Sequence, residues 1–369
     1  MGSRHLQQDE TPAAKPANRH VLGLDLIRFL AAAMVLAFHY GHDVGSIPLS
    51  WCGWVGVEIF FVLSGYVISA SAEGSKPGIF VRNRVVRLMP AVWICSTFAA
   101  AVCLAEASYP DLPVRFLKSL VLWPTGPWVD GVLWTLPVEA VFYGLVYLCL
   151  LGMFPLGRLL RAIAGVSGCY WTSRLVGLSH PGFAAFGWAS DAVATLSMLG
   201  FGCYFALGAL IRETLIEGWS YERAAFLVIS LAAGAVEIAF AGSNWAPDAT
   251  VSWLPHAQKL VPLAVWLGTV ALMVVSVKAN GAAWRRFALA AWTIRLLGLA
   301  TYPIYLLHDP VGNALKLAPA LRSPLVAAAL TVVLSMIFAA TVERWAQLAL
   351  KSLVFGRRAP QPALQADPS

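Results

Sequence analysis

Two side chains that could do acid–base or electrostatic chemistry, Arg28 and His39, lie in one apolar stretch, residues 24–40 (LDLIRFLAAAMVLAFHY). Histidine titrates near neutral pH and can accept a proton from a hydroxyl group, whereas a guanidinium group stabilises negative charge. In a helix, this spacing places both side chains within roughly 20° of one face and about 16 Å apart along the axis. A charge in a bilayer costs at least roughly 2.5–3.5 kcal/mol, so we expect Arg28 to face a polar interior. The alternative is that Arg28 reaches for the membrane surface and His39 only packs at a helix end.

A carboxylate, Glu139, also lies in an apolar segment, residues 134–143 (WTLPVEAVFY). In such surroundings it must either pair with a cation, such as Arg28 or His39, or remain protonated. We therefore expect Glu139 to orient or charge-balance a polar site within the membrane.

Three arginines, Arg82, Arg84 and Arg87, are concentrated in residues 80–93 (FVRNRVVRLMPAVW). On a helical turn Arg84 and Arg87 would share a face, where two guanidinium groups could hold a diphosphate. Simple anchoring at the cytoplasmic membrane surface explains the same cluster, and the residues alone leave both interpretations open.

Two other polar positions have ordinary structural explanations. Ser64 and Gly65 lie in residues 60–66 (FFVLSGY), where small residues let helices approach closely. No GxSxG turn or neighbouring base is visible, so Ser64 is interpreted as a packing residue and not as a nucleophile. In residues 297–311 (LGLATYPIYLLHDPV), Tyr305 and His308 share a helical face, and His308 either lines a polar cavity or is a packing residue.

The composition excludes a soluble globular protein. Of 369 residues, 59% are hydrophobic and 12% are charged, which is too little polarity to cover a soluble surface. The six cysteines are scattered in or beside apolar segments without metal-ligand spacing, so no metal site is expected. The net charge of +7 comes from Lys and Arg in the two tails and in the predicted loops at residues 71–88, 157–174, 212–222 and 278–296, which is typical of cytoplasmic loops. The predicted loop at residues 242–256 carries neither Lys nor Arg and is expected to lie outside the cell.

The apolar segments predict an all-α, polytopic membrane bundle of about ten helices with both termini in the cytoplasm. After the first, uncleaved span, further spans are expected near 51–70, 89–106, 132–153, 175–190, 192–211, 223–241, 257–277, 297–315 and 323–342. Residues 1–20 and 346–369 are expected to be cytoplasmic tails around a membrane domain at 21–345. Residues 114–123 are expected to form a re-entrant or interfacial segment.

These motifs, in this order and spacing, resemble those of the membrane acyltransferase family 3 proteins. They comprise Arg28 with His39, the FFVLSGY segment, the Arg-x-x-Arg pair and WTLPVE, followed by the Tyr-x-x-Tyr-Leu-x-His-x-Pro signature ending at Pro310. This C-terminal signature extends the resemblance to most of the chain. Thr135 stands where the family has serine, which keeps the hydroxyl group.

The resemblance implies a membrane enzyme that moves an acyl group, most simply acetyl, from cytoplasmic acyl-coenzyme A to a hydroxyl of a carbohydrate or lipid-linked glycan. It implies a bacterial inner-membrane location, His39 as general base with Glu139 and Arg28 supporting it, and acyl-coenzyme A held by Arg84, Arg87 and Arg82. The residues expected to line the substrate site are Asp25, Ser64, Tyr66, Trp134, Thr135, Tyr143, Tyr305 and His308. A proton-coupled or glycan transporter is the alternative, since intramembrane charges also mark translocation paths, and a non-catalytic scaffold is a third.

Overall fold

A computed structural model shows a bundle of helices. It describes residues 21–41, 49–106, 109–179, 191–245, 257–279, 288–316 and 323–355, and these contain no β-strand. The all-α prediction is therefore confirmed for this part of the chain. The predicted tail at residues 1–20 lies outside it, as does most of the predicted loop at residues 242–256.

The first helices carry most of the functional motifs. Helix α1 spans Leu22–Gly41, and a 3₁₀ turn at Ser50–Val55 leads into α2, Gly56–Ala72. Helix α3 spans Pro77–Ala105, and the short α4 spans Leu112–Leu120. A second 3₁₀ turn, Gly131–Trp134, precedes α5 at Thr135–Leu150.

The rest of the chain completes the bundle. It comprises α6 at Leu156–Ser179, α7 at Asp191–Leu196, α8 at Gly202–Glu217, α9 at Tyr221–Trp245, α10 at Ala257–Lys278, α11 at Ala288–Lys316 and α12 at Pro324–Phe338. A π-helical turn, Ala339–Glu343, joins α12 to α13, Arg344–Phe355. Helix α13 overlaps the predicted C-terminal tail, 346–369, over residues 346–355.

Helices α2 and α8 are in backbone contact at two glycines. A Cβ atom on Gly65 would lie 2.0 Å from the carbonyl oxygen of Phe205, and one on Gly208 would lie 1.8 Å from that of Val62. Such distances are far below van der Waals contact, so both positions require glycine. The expectation that Gly65 permits close helix packing is confirmed.

Helix α11 packs along α1, close to the polar residues of that helix. A Cβ atom on Gly298 would lie 2.6 Å from Cβ of Asp25, and one on Gly312 would lie 2.6 Å from Cε1 of Tyr40. The Tyr40 hydroxyl donates to the carbonyl oxygen of His308 and lies 2.9 Å from Oγ1 of Thr331 on α12. The two ends of α1 are thereby fixed against α11.

Within the described residues, eight helices are long and apolar enough to cross a membrane: Leu22–Gly41, Ser50–Ala72, Pro77–Ala105, Gly131–Leu150, Tyr221–Gly242, Leu260–Lys278, Ala290–Leu315 and Pro324–Leu353. The predicted count of ten is not confirmed. The span predicted at 175–190 lies largely outside the described residues. The one predicted at 192–211 overlaps α8, which has only 16 residues.

Two of the predicted basic loops are helical in the structure, so these two predictions were wrong. The loop expected over 71–88 is mostly helix, because α3 begins at Pro77, and proline is a favourable first helical residue. The buried Phe80 packs the first turn of this helix against the protein, and Pro90 lies inside the helix. The loop expected over 157–174 is part of α6. There, Leu160 packs in the core and Arg161 forms ion pairs with Glu213 and Glu222 at 2.9 and 2.8 Å.

Helix α4 has the character of an interfacial helix. With nine residues it is too short to cross a bilayer. Its basic side chains are engaged by the protein: Arg115 bonds to Asp111 at 2.8 Å, and Lys118 donates to the carbonyl oxygen of Gly126 at 2.9 Å. The bond from Arg115 also holds the pKa of Asp111 below its usual range. The apolar residues exposed on and just after this helix are Val114, Leu117, Val121 and Trp123, which is how a helix lying on a membrane surface is built.

Candidate active site

A cavity with a volume of about 110 Å³ lies among α1, α2, α3, α5 and α11, and we call it the central cavity. Since one water molecule needs about 10–15 Å³ by this measure, the space suits several waters or a short acyl group. Its polar lining comprises Arg28, Ser64, Arg84, Arg87, Thr135, Glu139, Tyr143, Thr301, Tyr302 and Tyr305. Eight of these ten residues were predicted from sequence as site residues.

Arg28 faces the central cavity, as expected for a charge in an apolar helix. Its Nη1 lies 3.7 Å from Oδ1 of Asp25, one turn earlier on α1. Asp25 itself is not among the residues that line the cavity; it is buried against Gly298 of α11. Asp25 was predicted to line the substrate site, but the structure places it behind Arg28 because the i,i+3 spacing favours the ion pair.

Glu139 lies in the same cavity, where α2 meets α5. Its Oε1 accepts a hydrogen bond from Oγ of Ser64 at 2.7 Å, and its carboxylate also interacts with the Tyr143 hydroxyl. Glu139 and Arg28 lie near enough to interact electrostatically. The sequence shows no base beside Ser64, but the structure brings this carboxylate to it from a helix 75 positions away.

Two of the three clustered arginines belong to the cavity. Arg84 and Arg87 line it, whereas Arg82 does not and is exposed. The Arg84 guanidinium lies 5.5 Å from the ring centre of Phe80 and 5.7 Å from that of Tyr143, so two aromatic rings position it. Its Nε is buried without a hydrogen-bond partner among the described residues, which leaves a donor available to a ligand.

Thr135 and Tyr305 meet in the lining of the central cavity. Their hydroxyl oxygens are 2.9 Å apart, and either hydroxyl can donate to the other. Both also lie within hydrogen-bond distance of the carbonyl oxygen of Val132, at 3.0 Å for Tyr305 and 3.4 Å for Thr135. The sequence interpretation missed Tyr302, whose position one turn before Tyr305 was the available signal; its hydroxyl donates to the carbonyl oxygen of Leu88 at 3.3 Å.

His39 lies outside the central cavity, on the exposed last turn of α1. Its ring centre is 4.7 Å from that of His308, and the ring planes are inclined by 54°. His308 is fully buried and likewise does not line the cavity. Tyr305 connects the two regions, because it lines the cavity and its ring centre is 5.8 Å from that of His308.

Two other predicted lining residues lie elsewhere. Trp134 packs its ring against Phe61 and Phe201, with ring centres 6.2 and 5.2 Å apart. Tyr66 packs against the main hydrophobic core. Neither side chain lines the central cavity, whereas the neighbouring Thr135 and Ser64 do. That Trp134 and Tyr66 contact substrate stays a prediction. In the part of the chain that the structure describes, no group of three or more His, Cys, Asp or Glu residues could hold a metal ion.

The family 3 acyltransferase domain matches residues 21–344, which includes every residue that builds the central cavity and the pair of histidines. The chain belongs to this family. Its membrane helices and this membership make it a multi-pass integral membrane O-acyltransferase.

Three curated proteins illustrate the similarity. A Komagataeibacter xylinus protein, BcsY, provisionally assigned as a membrane-bound transacylase, is 26% identical over 80% of this chain and 73% of its own length. An O-acetyl transferase of Shigella phage Sf6 is 28% identical over 32% of this chain and 43% of its own. The Bacillus subtilis (strain 168) protein YrhL, provisionally assigned as a peptidoglycan O-acetyltransferase, is 34% identical over 21% of this chain and 12% of its own. No solved structure matches the chain at a significant level.

Proposed function

We propose that this acyltransferase takes an acyl group, in the first instance acetyl, from acyl-coenzyme A on the cytoplasmic side and places it on a hydroxyl of a carbohydrate or lipid-linked glycan. The observation that carries the proposal is the central cavity, which two arginines of α3 line. On α11, its lining residue Tyr305 is followed by the buried His308, whose ring lies against that of His39. A further part of the proposal is that both termini lie in the cytoplasm of a bacterial cell whose inner membrane holds the protein.

The arginines of the cavity are suited to the donor. Arg84 and Arg87 are one helical turn apart on α3, and guanidinium groups bind phosphate oxygens through paired, charge-assisted hydrogen bonds. The unpartnered Nε of Arg84 supports this assignment. The pantetheine arm of the donor would then occupy the cavity, with the thioester directed toward Tyr305.

Arg28 and Glu139 belong to the donor side of the reaction. Arg28 and His39 lie about 16 Å apart along α1, so they do not act on the same carbonyl group at the same moment. Arg28 adds positive charge beside Arg84 and Arg87, and Glu139, held by Ser64, balances that charge. In this proposal Arg28 holds the donor and does not stabilise charge on the thioester oxygen.

The chemical step is general-base catalysis by His39. Its imidazole takes the proton of the acceptor hydroxyl as that oxygen attacks the thioester carbonyl carbon. The C–S bond then breaks, the coenzyme A sulfur takes up the proton from the imidazolium, and the products are an ester and free coenzyme A. His39 is exposed at the end of α1, where a large acceptor has access.

Carbohydrate acceptors are supported by the relatives, one of which is provisionally assigned to peptidoglycan O-acetylation. The test is to incubate the purified protein with acetyl-coenzyme A labelled in the acetyl group, together with a panel of polysaccharides and lipid-linked glycans. Acceptor-dependent release of coenzyme A, with label in an alkali-labile ester, is the expected result. Movement of an intact glycan across proteoliposomes without coenzyme A release would instead identify a transporter.

A further inference from the structure

One nitrogen of the buried His308 has a fixed role. Its Nδ1 lies 2.7 Å from the carbonyl oxygen of Tyr305, one turn earlier on α11. A carbonyl oxygen only accepts hydrogen bonds, so Nδ1 carries the proton of the neutral imidazole. The other nitrogen, Nε2, therefore presents a lone pair.

This lone pair is buried and has no hydrogen-bond partner. A buried acceptor without a hydrogen bond is unfavourable, so a partner at this position would stabilise the site. The His39 ring lies against His308, with a distance of 4.7 Å between ring centres. At this separation, a rotation of the His39 ring brings an N–H within hydrogen-bond reach of Nε2.

The backbone around the two rings is already held in place. The Tyr40 hydroxyl donates to the main-chain oxygen of His308, and the Tyr40 ring packs against Gly312, where a Cβ atom would lie 2.6 Å from Cε1. The residue after His39 is thus bound to the turn of α11 that carries His308. Only the His39 side chain needs to move for the two rings to bond.

We propose that His308 is a positioning residue for His39: its Nε2 accepts the N–H of the His39 imidazole and thereby directs the unprotonated His39 nitrogen at the acceptor hydroxyl. This rests on the proposed function, in which His39 is the general base. Without the bond, His308 no longer selects the tautomer and ring orientation of His39, so a smaller fraction of encounters presents the correct nitrogen. His308 takes no proton itself.

A matched pair of variants tests the hydrogen-bond acceptor that His308 Nε2 provides. His308→Gln and His308→Met have side chains of similar length, and only glutamine places an acceptor near the position of Nε2. With acetyl-coenzyme A and a glycan acceptor, we expect His308→Met to lower kcat about tenfold or more, with the KM for acetyl-coenzyme A unchanged, and His308→Gln to recover most of that loss. His308→Asn keeps a donor for the Tyr305 carbonyl but has no acceptor at the Nε2 position, so it should behave like the methionine variant and replaces it if that variant does not fold.

The His39→Ala background separates this inference from the proposed function. There, His308→Met or His308→Asn should cause no further loss, because no ring remains to be oriented, whereas general structural damage would multiply the two losses. Near-normal turnover by His39→Ala overturns the general-base role itself. Two results would overturn the positioning role alone, provided that His39→Ala is impaired. One is that His308→Gln is as slow as His308→Met and His308→Asn; the other is that His308→Met and His308→Asn retain full kcat.

Discussion

Two charged side chains of the central cavity already have polar partners before any substrate is bound. Arg28 has Asp25 beside it, and Glu139 has Ser64. A buried charge whose partner is removed costs several kcal/mol, so substitutions at these positions change folding as well as function. His39 is exposed and Arg84 is held by aromatic rings, which makes them better positions at which to test chemistry.

The first prediction concerns His39. His39→Ala should lower kcat for acetyl transfer about 10²–10⁴-fold, because a general base typically contributes that much to the rate. The exposed position means that expression and thermal stability in detergent should stay close to those of the unmodified protein. Coenzyme A release in the presence of acceptor is the measurement, and a loss of less than about tenfold would contradict the role.

The second prediction separates phosphate binding from membrane anchoring. Arg84→Ala combined with Arg87→Ala should raise the KM for acetyl-coenzyme A about tenfold or more, since a hydrogen bond to a charged group contributes about 1.5–3 kcal/mol. The KM for the acceptor should change little. Arg82→Ala is the control, because it removes the same charge from the same helix but does not line the cavity. Equal effects of all three substitutions on donor binding would support anchoring instead.

Among elements, α2 and α8 show how close packing replaces hydrophobic burial as the source of helix association in a bilayer. Their backbones meet at Gly65 and Gly208, and the contact joins the helix that carries Ser64 to a fully buried stretch of α8 that includes Phe205 and Leu207. The position of Ser64 in the cavity therefore depends on a contact on the other side of its helix.

The third prediction follows from that contact. Gly208→Ala would put a methyl group 1.8 Å from the Val62 carbonyl oxygen, so the helices must separate at a cost of about 1–3 kcal/mol or more. Gly268→Ala on α10 is the control, because its added methyl group meets nothing within 4 Å. Thermal unfolding in detergent should show a clearly lower Tm for the first variant and an unchanged or higher Tm for the second.

Helix positions were predictable where the apolar pattern was uninterrupted, as in α1, α2 and α5. The sequence-based prediction was wrong at α6 and at the start of α3, where it placed loops, because arginines suggest a loop when their partners are unknown. In the fold, Arg161 pairs with Glu213 and Glu222, and Arg84 lies against aromatic rings. The same limit applies to the site: residue types pointed to Arg28 and Glu139, but the Ser64–Glu139 bond is a tertiary contact with no signature in local spacing.

At the scale of the whole molecule, the proposed function gives the two substrates separate approaches. Arg84 and Arg87 are near the beginning of α3, and His39 is at the end of α1. The proposed orientation assigns the first position to the cytoplasm and the second to the exterior. Acceptor and donor would then arrive from opposite faces, and only the acyl group would change sides.

The fourth prediction tests this orientation by labelling single cysteines in a chain from which the native six have been removed. Gly78→Cys, at an exposed position with open space around it, should react with a membrane-impermeant reagent only after lysis. A cysteine at position 245 should react in intact cells, because the loop at residues 242–256 carries no basic residue. The reverse pattern would place the proposed donor site outside the cell.

The buried Tyr305, bonded to Thr135, has a consequence for the electrical properties of the membrane. In the part of the chain that the structure describes, Tyr305 and the fully buried His308 occupy the length of α11 between the central cavity and exposed His39. A continuous file of water molecules there would conduct protons and dissipate the proton gradient across the membrane. In the proposed function, these two buried side chains would close that route to water, so that the protein would work across an energised membrane and leave it insulating.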